Sequence, residues 1–196
     1  MGGPLSEKKK ILVFFGSPHK NGHTAQLLRA FLEPFRNKNM DIQIIDAFDE
    51  DIAPCNACGV CKTRETCRFH DFDEIDSQLR LADILVFATP IYNLSFPAPL
   101  KAIMDRTQRY YEARFSLHIK PPIARPKQAI LLVTAGSANP DGAEIMEKQL
   151  KMIFTVMNTT LKHTILLSKT DTAQPEDIEN AEQETKRVAL AMLSEL

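Results

Sequence analysis

Three apolar runs set the limits on what this chain can fold into: Ile11-Leu12-Val13-Phe14-Phe15, Ile84-Leu85-Val86-Phe87-Ala88 and Ala129-Ile130-Leu131-Leu132-Val133. All are too short to cross a membrane as helices, and such continuous apolar runs fit strands covered on both faces. Asp41-Ile42-Gln43-Ile44-Ile45 alternates and reads as a further strand, and Thr164-Ile165-Leu166-Leu167 as a fifth.

Helical spacing fills the gaps between them. Residues 24–37 carry Leu28, Phe31, Leu32 and Phe35 on one face, with Pro34 set to end the helix early. Phe72, Ile75 and Leu79 give a short amphipathic helix, for which Asp71 and Glu74 resemble a capping box. Pro97 suits a first turn with Ser95 as cap, and Leu100, Ile103, Met104, Thr107, Tyr110 and Tyr111 follow as one face. Residues 112–127, with prolines at 121, 122 and 126, read as a loop. Met146, Leu150, Ile153 and Met157 line the next helix, and residues 176–195 close the chain with Ala181, Val188, Ala189, Met192 and Leu193. Five strands alternating with five helices predict an α/β fold, a parallel sheet wound on both faces as a three-layer sandwich. Right-handed crossovers leave few topologies, and the flavodoxin-like order 2-1-3-4-5 is the one expected for a single domain over residues 1–196. An irregular, cysteine-rich insertion at about 49–70 interrupts the rhythm.

Composition removes several classes of function. Hydrophobic residues make up 44% and charged residues 25%, ordinary values for a globular chain. A net charge of −1 gives no electrostatic case for nucleic acid or an anionic membrane. Lys8-Lys9-Lys10 and the scattered Lys120, Arg125 and Lys127 read as solvated. No secretory apolar core is visible; Met1-Gly2 with Ser6 formally satisfies an N-myristoylation pattern, but Gly2-Gly3 reads as a flexible end. The expectation is a cytoplasmic protein with neither nucleic-acid nor membrane partner.

The chemistry concentrates after the first strand. Gly16-Ser17-Pro18-His19-Lys20-Asn21-Gly22-His23-Thr24 carries a buried strand through small residues into a helix N-terminus, whose open amides and dipole attract an anion. Ser17 and Thr24 add hydroxyls, and Asn21-Gly22 supplies the tight turn. The loop is neither G-x-G-x-x-G nor G-x-x-x-x-G-K-[ST], which leaves a single phosphate held mainly by neutral donors. Five of the seven glycines lie beyond the N-terminal pair: Gly16, Gly22, Gly136 and Gly142 follow strands one and four, and Gly59 sits among the cysteines. Ligands of open α/β sheets bind beyond the carboxyl ends of the strands, so loops 16–24, 90–97 and 134–139 would share one mouth. Pro90-Ile91-Tyr92-Asn93 offers amides and a ring, and Thr134-Ala135-Gly136-Ser137 small residues that admit a flat ligand. A monophosphate beside a flat aromatic body describes FMN.

These residues carry a resemblance. Ser17-Pro18-x-Lys20-x-Gly22-x-Thr24 resembles the phosphate loop of the NAD(P)H-dependent FMN reductase and flavodoxin-like families. Ala82-Asp83 through Pro90-Ile91-Tyr92, with Leu100-Lys101 and Asp105-Arg106, resembles the family's second signature. Pro54-Cys55-x2-Cys58-x2-Cys61-x5-Cys67 resembles the compact cysteine motif of the iron–sulfur flavoprotein branch. The likeness covers roughly residues 10–137. It implies that Ser17, His19, Asn21, His23 and Thr24 surround the FMN phosphate, that Pro90, Ile91, Tyr92 and Asn93 flank the isoalloxazine, and that residues 134–137 cover its far side. His19 stands where arginine is common and His23 where asparagine is common; both still donate to phosphate, so FMN affinity is expected to weaken as pH rises.

Cys55, Cys58, Cys61 and Cys67 do not read as a disulfide framework in a cytosolic α/β protein. Clustered soft thiols point to an iron–sulfur cluster, with three cysteines at x2 spacing and a fourth nearby suiting a [4Fe–4S] cubane; zinc and free or mutually oxidisable thiols remain open. His70 reads as a surface histidine before a helix, Asp46 to Asp51 as a solvated loop, Asp105 and Arg106 as structural pairs, and Tyr110 and Tyr111 as core or dimer contact. No hydrolase elbow, zincin helix or Cys–His pair appears. The reading is an FMN-dependent oxidoreductase using NAD(P)H and a small acceptor such as a quinone, azo or nitro compound. Homodimers or dimers of dimers are implied by the resemblance, with a cluster exchanging electrons with flavin across the interface. Two other readings stay in view: a non-enzymatic carrier between ferredoxin-like partners, and a zinc-stabilised interaction module.

Overall fold

The computed structural model describes residues 8–196, and the Met1-Gly2-to-Ser6 pattern lies outside the described residues. The three apolar runs become the central strands of a five-stranded parallel sheet in the order β2-β1-β3-β4-β5. These strands are β1 (Lys9–Phe15), β2 (Met40–Asp46), β3 (Ile84–Pro90), β4 (Lys127–Thr134) and β5 (Thr159–Leu167). Helices α1 (His23–Leu32), α2 (Asp73–Leu81), α3 (Ala98–Asp105), α4 (Gln108–Phe115), α5 (Asp141–Phe154) and α6 (Pro175–Ser194) connect and flank them.

Side chains alternate across the pleat, so each central strand feeds two cores. Ile11, Val13 and Phe15 meet Leu27, Phe31, Val188 and Met192 from α1 and α6. Leu12 and Phe14 meet Ile75, Leu100, Met146 and Phe154 from the opposite layer. There Phe14 stacks on Phe87 at 4.9 Å between ring centroids. The edge strands pack on fewer neighbours, which is why Ile44 of β2 stays 53% exposed and why β5 alternates between more and less exposed residues along its length.

Several local expectations fail for identifiable reasons. Asp71 does not cap α2; its carboxylate accepts from Ala53 N–H at 2.8 Å and pairs with Arg106 at 2.7 Å instead. Ser95 does not cap α3, because it exchanges two backbone hydrogen bonds of 2.9 Å with Tyr92; Pro97 is the N-cap and Pro99 occupies the first turn. The single long face from Leu100 to Tyr111 is two helices, making six helices among the described residues in place of five. At the break, Thr107 N–H and Thr107 Oγ1 both bond to Met104 O, at 3.1 and 2.6 Å, which tightens the last turn. Tyr110 is then fully buried while Tyr111 is 47% exposed. Residues 112–115, read as loop, complete α4, and Met157 is buried but lies beyond the end of α5. As expected, Pro34 ends α1, in a short 3₁₀ turn over Glu33–Phe35.

One contact sets how closely the layers approach the ligand end of the sheet. A Cβ on Gly16 would stand 2.5 Å from Leu100 Cδ2 and 3.0 Å from Thr89 Oγ1. Gly16→Ala is therefore expected to cost about 2 kcal/mol through overpacking. Thermal unfolding of the variant should show a melting midpoint lower by roughly 4–8 °C for a chain of this size.

Candidate functional site

At the carboxyl ends of the strands the crossovers diverge: α1 leaves β1 toward one face and α3 leaves β3 toward the other. A crevice opens between them, as the winding of such a sheet requires. The loop after β1 is fixed from below by Gly16 N–H donating to Ala88 O at 2.8 Å. Ser17 is buried, and its Oγ accepts His19 N–H at 3.2 Å. Gly22 N–H closes the turn on His19 O, and the extended Gly22 serves as N-cap of α1 without any side-chain cap. The first-turn amides of α1 are thus left to whatever occupies the crevice. Thr24, also buried, hydrogen-bonds through Oγ1 to Thr134 Oγ1 at 2.7 Å and ties the phosphate-type loop to the end of β4. His23 Nδ1 lies 2.8 Å from Gln26 Oε1.

The second wall rises from β3. Ile91 N–H donates to Thr134 O at 2.9 Å, and Tyr92 and Ser95 pair across a tight turn. Its central residues, Asn93 and Leu94, both have positive φ, 50° and 61°, a left-handed geometry that leucine rarely adopts. The strained turn holds Tyr92 at the mouth with 44% of its surface exposed. Behind it, Gly142 makes room for Ile91, whose Cγ2 would stand 2.7 Å from a Cβ at that position.

The resulting cleft, about 290 Å³, is lined by Ser17, His19, Gly22, His23 and Thr24 on one side. Pro90, Ile91, Tyr92, Thr134 and Gly136 line the others. Of the remaining sequence candidates, Asn21 and Asn93 are exposed turn residues, Ser137 is exposed, and Ala135 is buried beneath the loop. Two lining residues, Thr170 and Asp171, escape the sequence reading. Lys169 N–H donates to Ser137 O and Thr170 N–H to Ala135 O, so the loop after β5 is braced on the loop after β4, with the Asp171 carboxylate against Gly136. Their position just past a strand's carboxyl end was the available signal. Lys20, although part of the loop signature, turns away and pairs with Asp46 and, at 2.9 Å, with Asp49.

The four cysteines gather elsewhere. Positive φ at Ala57 (56°) and Gly59 (80°) folds the segment back, and a 3₁₀ turn over Val60–Lys62 follows. Cys55, Cys58, Cys61 and Cys67 all line one pocket of about 230 Å³, closed by Phe69, Arg106, Arg109 and Glu112 from neighbouring segments. Among the described residues no group of three or more His, Cys, Asp or Glu side chains is arranged to hold a metal ion. Cys55 and Cys58 are exposed, and burial, then the nearby Glu112 carboxylate, pushes the Cys61 thiol up. Arg106 anchors the segment: its guanidinium donates to Ala53 O (2.8 Å), Phe69 O (3.0 Å) and Cys67 Sγ (3.4 Å) and pairs with Asp71. Burial alone would raise the Asp71 carboxyl, but Arg106 and the Ala53 amide outweigh it and hold the group below its ordinary value. His70 is exposed and bonded to Asp73, and it does not line the pocket.

The family described as NADPH-dependent FMN reductase matches residues 9–172. The chain belongs to this family. The match takes in both the crevice and the cysteine pocket. An iron–sulfur flavoprotein of Methanosarcina thermophila is 34% identical over 112 residues, 57% of this chain and 59% of that protein. Another, of Methanocaldococcus jannaschii, is 31% identical over 100 residues, 50% and 52% of the two chains. The chain thus spans about half the length of the curated relatives it matches. The NAD(P)H:quinone oxidoreductase from Methanothermobacter marburgensis shares the fold, with a TM-score of 0.72 at 20% identity over 93% of this chain and 94% of that one. The expected topology and family are therefore those observed.

Proposed function

We propose that this chain is an FMN-dependent oxidoreductase that draws reducing equivalents from NAD(P)H and delivers them to a small acceptor. One observation carries the reading: the crevice joins an uncapped helix N-terminus to the buried hydroxyls of Ser17 and Thr24, a neutral cradle for a phosphate monoester. Donors aimed at a phosphate from fixed backbone need no rearrangement to bind it, and charge-assisted hydrogen bonds of this kind are the strong ones. The Pro90–Tyr92 wall and the Gly136 wall leave a slot for a flat ring system, and Tyr92 gives the slot an exposed aromatic flank at which a nicotinamide can approach. Bound FMN supplies hydride acceptance and one- or two-electron transfer. The protein positions and excludes; no general acid–base pair is required of it.

The similarity to iron–sulfur flavoproteins, together with four soft thiols on one pocket, supports a [4Fe–4S] cluster on Cys55, Cys58, Cys61 and Cys67. No helix among the described residues is long and apolar enough to cross a membrane, and we assign the protein to the cytoplasm. We also assign it a homodimer. Tyr111 and Phe115 pack ring against ring at a tilt, 4.6 Å between centroids, while each stays about half exposed, an aromatic pair that a second copy of the chain would cover. Light scattering on the eluting protein is expected to give twice the chain mass, and Phe115→Glu to shift it toward one.

Steady-state oxidation of NADH and of NADPH by a soluble quinone tests the activity. Turnover with either donor supports the enzyme; fast exchange with ferredoxin and no nicotinamide oxidation would make the protein an electron carrier instead. Lys20→Ala, which removes a cation held by Asp46 and Asp49 away from the crevice, is expected to leave FMN affinity within about twofold, measured by flavin fluorescence titration.

A further inference from the structure

We infer that Arg106 and Arg109 are the charge partners of the thiolate-bound group in the cysteine pocket, and that they raise its reduction potential. The inference rests on the cluster reading above. Both residues come from the α3–α4 junction, and both are buried, with 2% and 7% of their surface exposed. A guanidinium cannot give up its proton, so each buries a full positive charge, which is costly unless matched.

The match within the chain is incomplete. Arg106 spends Nη1 and Nη2 on Ala53 O, Phe69 O, Cys67 Sγ and Asp71, while its Nε has no hydrogen-bond partner. Arg109 approaches Asp73 and Asp76 only at 3.7 and 3.6 Å, and its Nε and Nη1 have no hydrogen-bond partner. Asp76 is moreover shared with Arg80, at 3.1 Å, and with the Tyr110 hydroxyl. Both guanidiniums therefore keep unspent donors, and both stand in the wall of the pocket that the four thiols line, while their aspartate partners do not line it. Lys62 and Arg68 add positive charge from the cysteine segment, against Glu112 as the acidic lining residue.

An anion of high charge is what such a wall accommodates. Four thiolates around a cubane core leave a dianion in the oxidised state, and one electron from an external reductant adds a further negative charge. Fixed cations and hydrogen bonds to sulfur stabilise the reduced form more than the oxidised one. Arg106 acts through its bond to Cys67 Sγ, and Arg109 through its charge. A purely structural role, clamping the segment to α3, would leave the potential where it is.

The test is a dithionite titration of the anaerobic full-length protein followed by electron paramagnetic resonance, with iron and acid-labile sulfide assayed on every sample. Arg109→Gln is expected to retain about four irons per chain. Its midpoint should move to more negative values, so that at the wild-type midpoint the reduced-to-oxidised ratio falls about tenfold, equivalent to about 59 mV for one electron. Arg106→Lys keeps the charge but loses the fork, and is expected to shift the midpoint less while altering the signal of the reduced cluster. Full iron with an unchanged midpoint in Arg109→Gln would overturn the inference and leave the cluster reading standing. If Arg109→Gln loses its iron, Arg109→Lys decides: recovery of iron with the wild-type midpoint supports a role of charge, and failure to recover refutes it. Wild-type protein without iron would bring down the cluster reading itself, and this inference with it.

Discussion

Replacing Ser17 by aspartate is expected to weaken FMN binding by about 100-fold while leaving the chain folded. The hydroxyl it removes is buried at the crevice floor, and its Oγ accepts the His19 amide at 3.2 Å. An aspartate carboxylate can accept the same amide, so the turn that delivers Gly22 to the start of α1 is kept. What changes is the sign of the cradle. A hydrogen bond to a charged phosphate is worth about 1.5–3 kcal/mol, or roughly 10- to 150-fold in affinity, and the new carboxylate adds repulsion to its loss. Ser17→Ala, which loses the hydroxyl donor and the acceptor of the His19 amide but adds no charge, should weaken binding by about tenfold. Titration of flavin-free protein with FMN, read by quenching of flavin fluorescence, measures both variants, and thermal melts confirm that the fold is retained.

Serine in place of Cys61 or Cys67 is expected to lower iron from about four per chain to below one, since a hydroxyl is a poor ligand for soft iron–sulfur chemistry. Flavin content should not follow. The cysteine pocket and the crevice share no lining residue, and α3 separates loop 91–97 from the Arg106 clamp by its length of about 12 Å. Iron, sulfide and flavin assays on the same preparation distinguish this pattern from general unfolding, in which all three would fall together.

The central strands were legible because burial on both faces leaves a short, unbroken apolar run rich in Val, Ile, Leu and Phe. Right-handed crossovers leave few sheet orders, and the expected one, 2-1-3-4-5, is the order observed. The crevice was legible for the same reason: it must lie where the crossovers diverge, and the small residues at 16–24 and 134–137 fall there. Ten of the fourteen cofactor candidates line it, and Asn21, Asn93, Ala135 and Ser137 do not. Several of the misses are tertiary. Asp71 has the spacing of a cap, but a buried guanidinium outcompetes a helix amide for it. Arg106 looks like any helix-end arginine until the fold brings Ala53, Cys67 and Phe69 around it. The tight turn at Asn93-Leu94 carries no glycine to announce its positive φ, and Thr170 and Asp171 reach the crevice only because β5 lies beside β4.

The most direct test of the account is the visible spectrum of the anaerobically purified protein, recorded before and after addition of NADPH, with bound FMN quantified after extraction. Flavin bands at about one FMN per chain that bleach on reduction are the predicted result. A colourless protein that takes up no FMN when it is supplied would contradict the assignment of the crevice, and with it the proposed function.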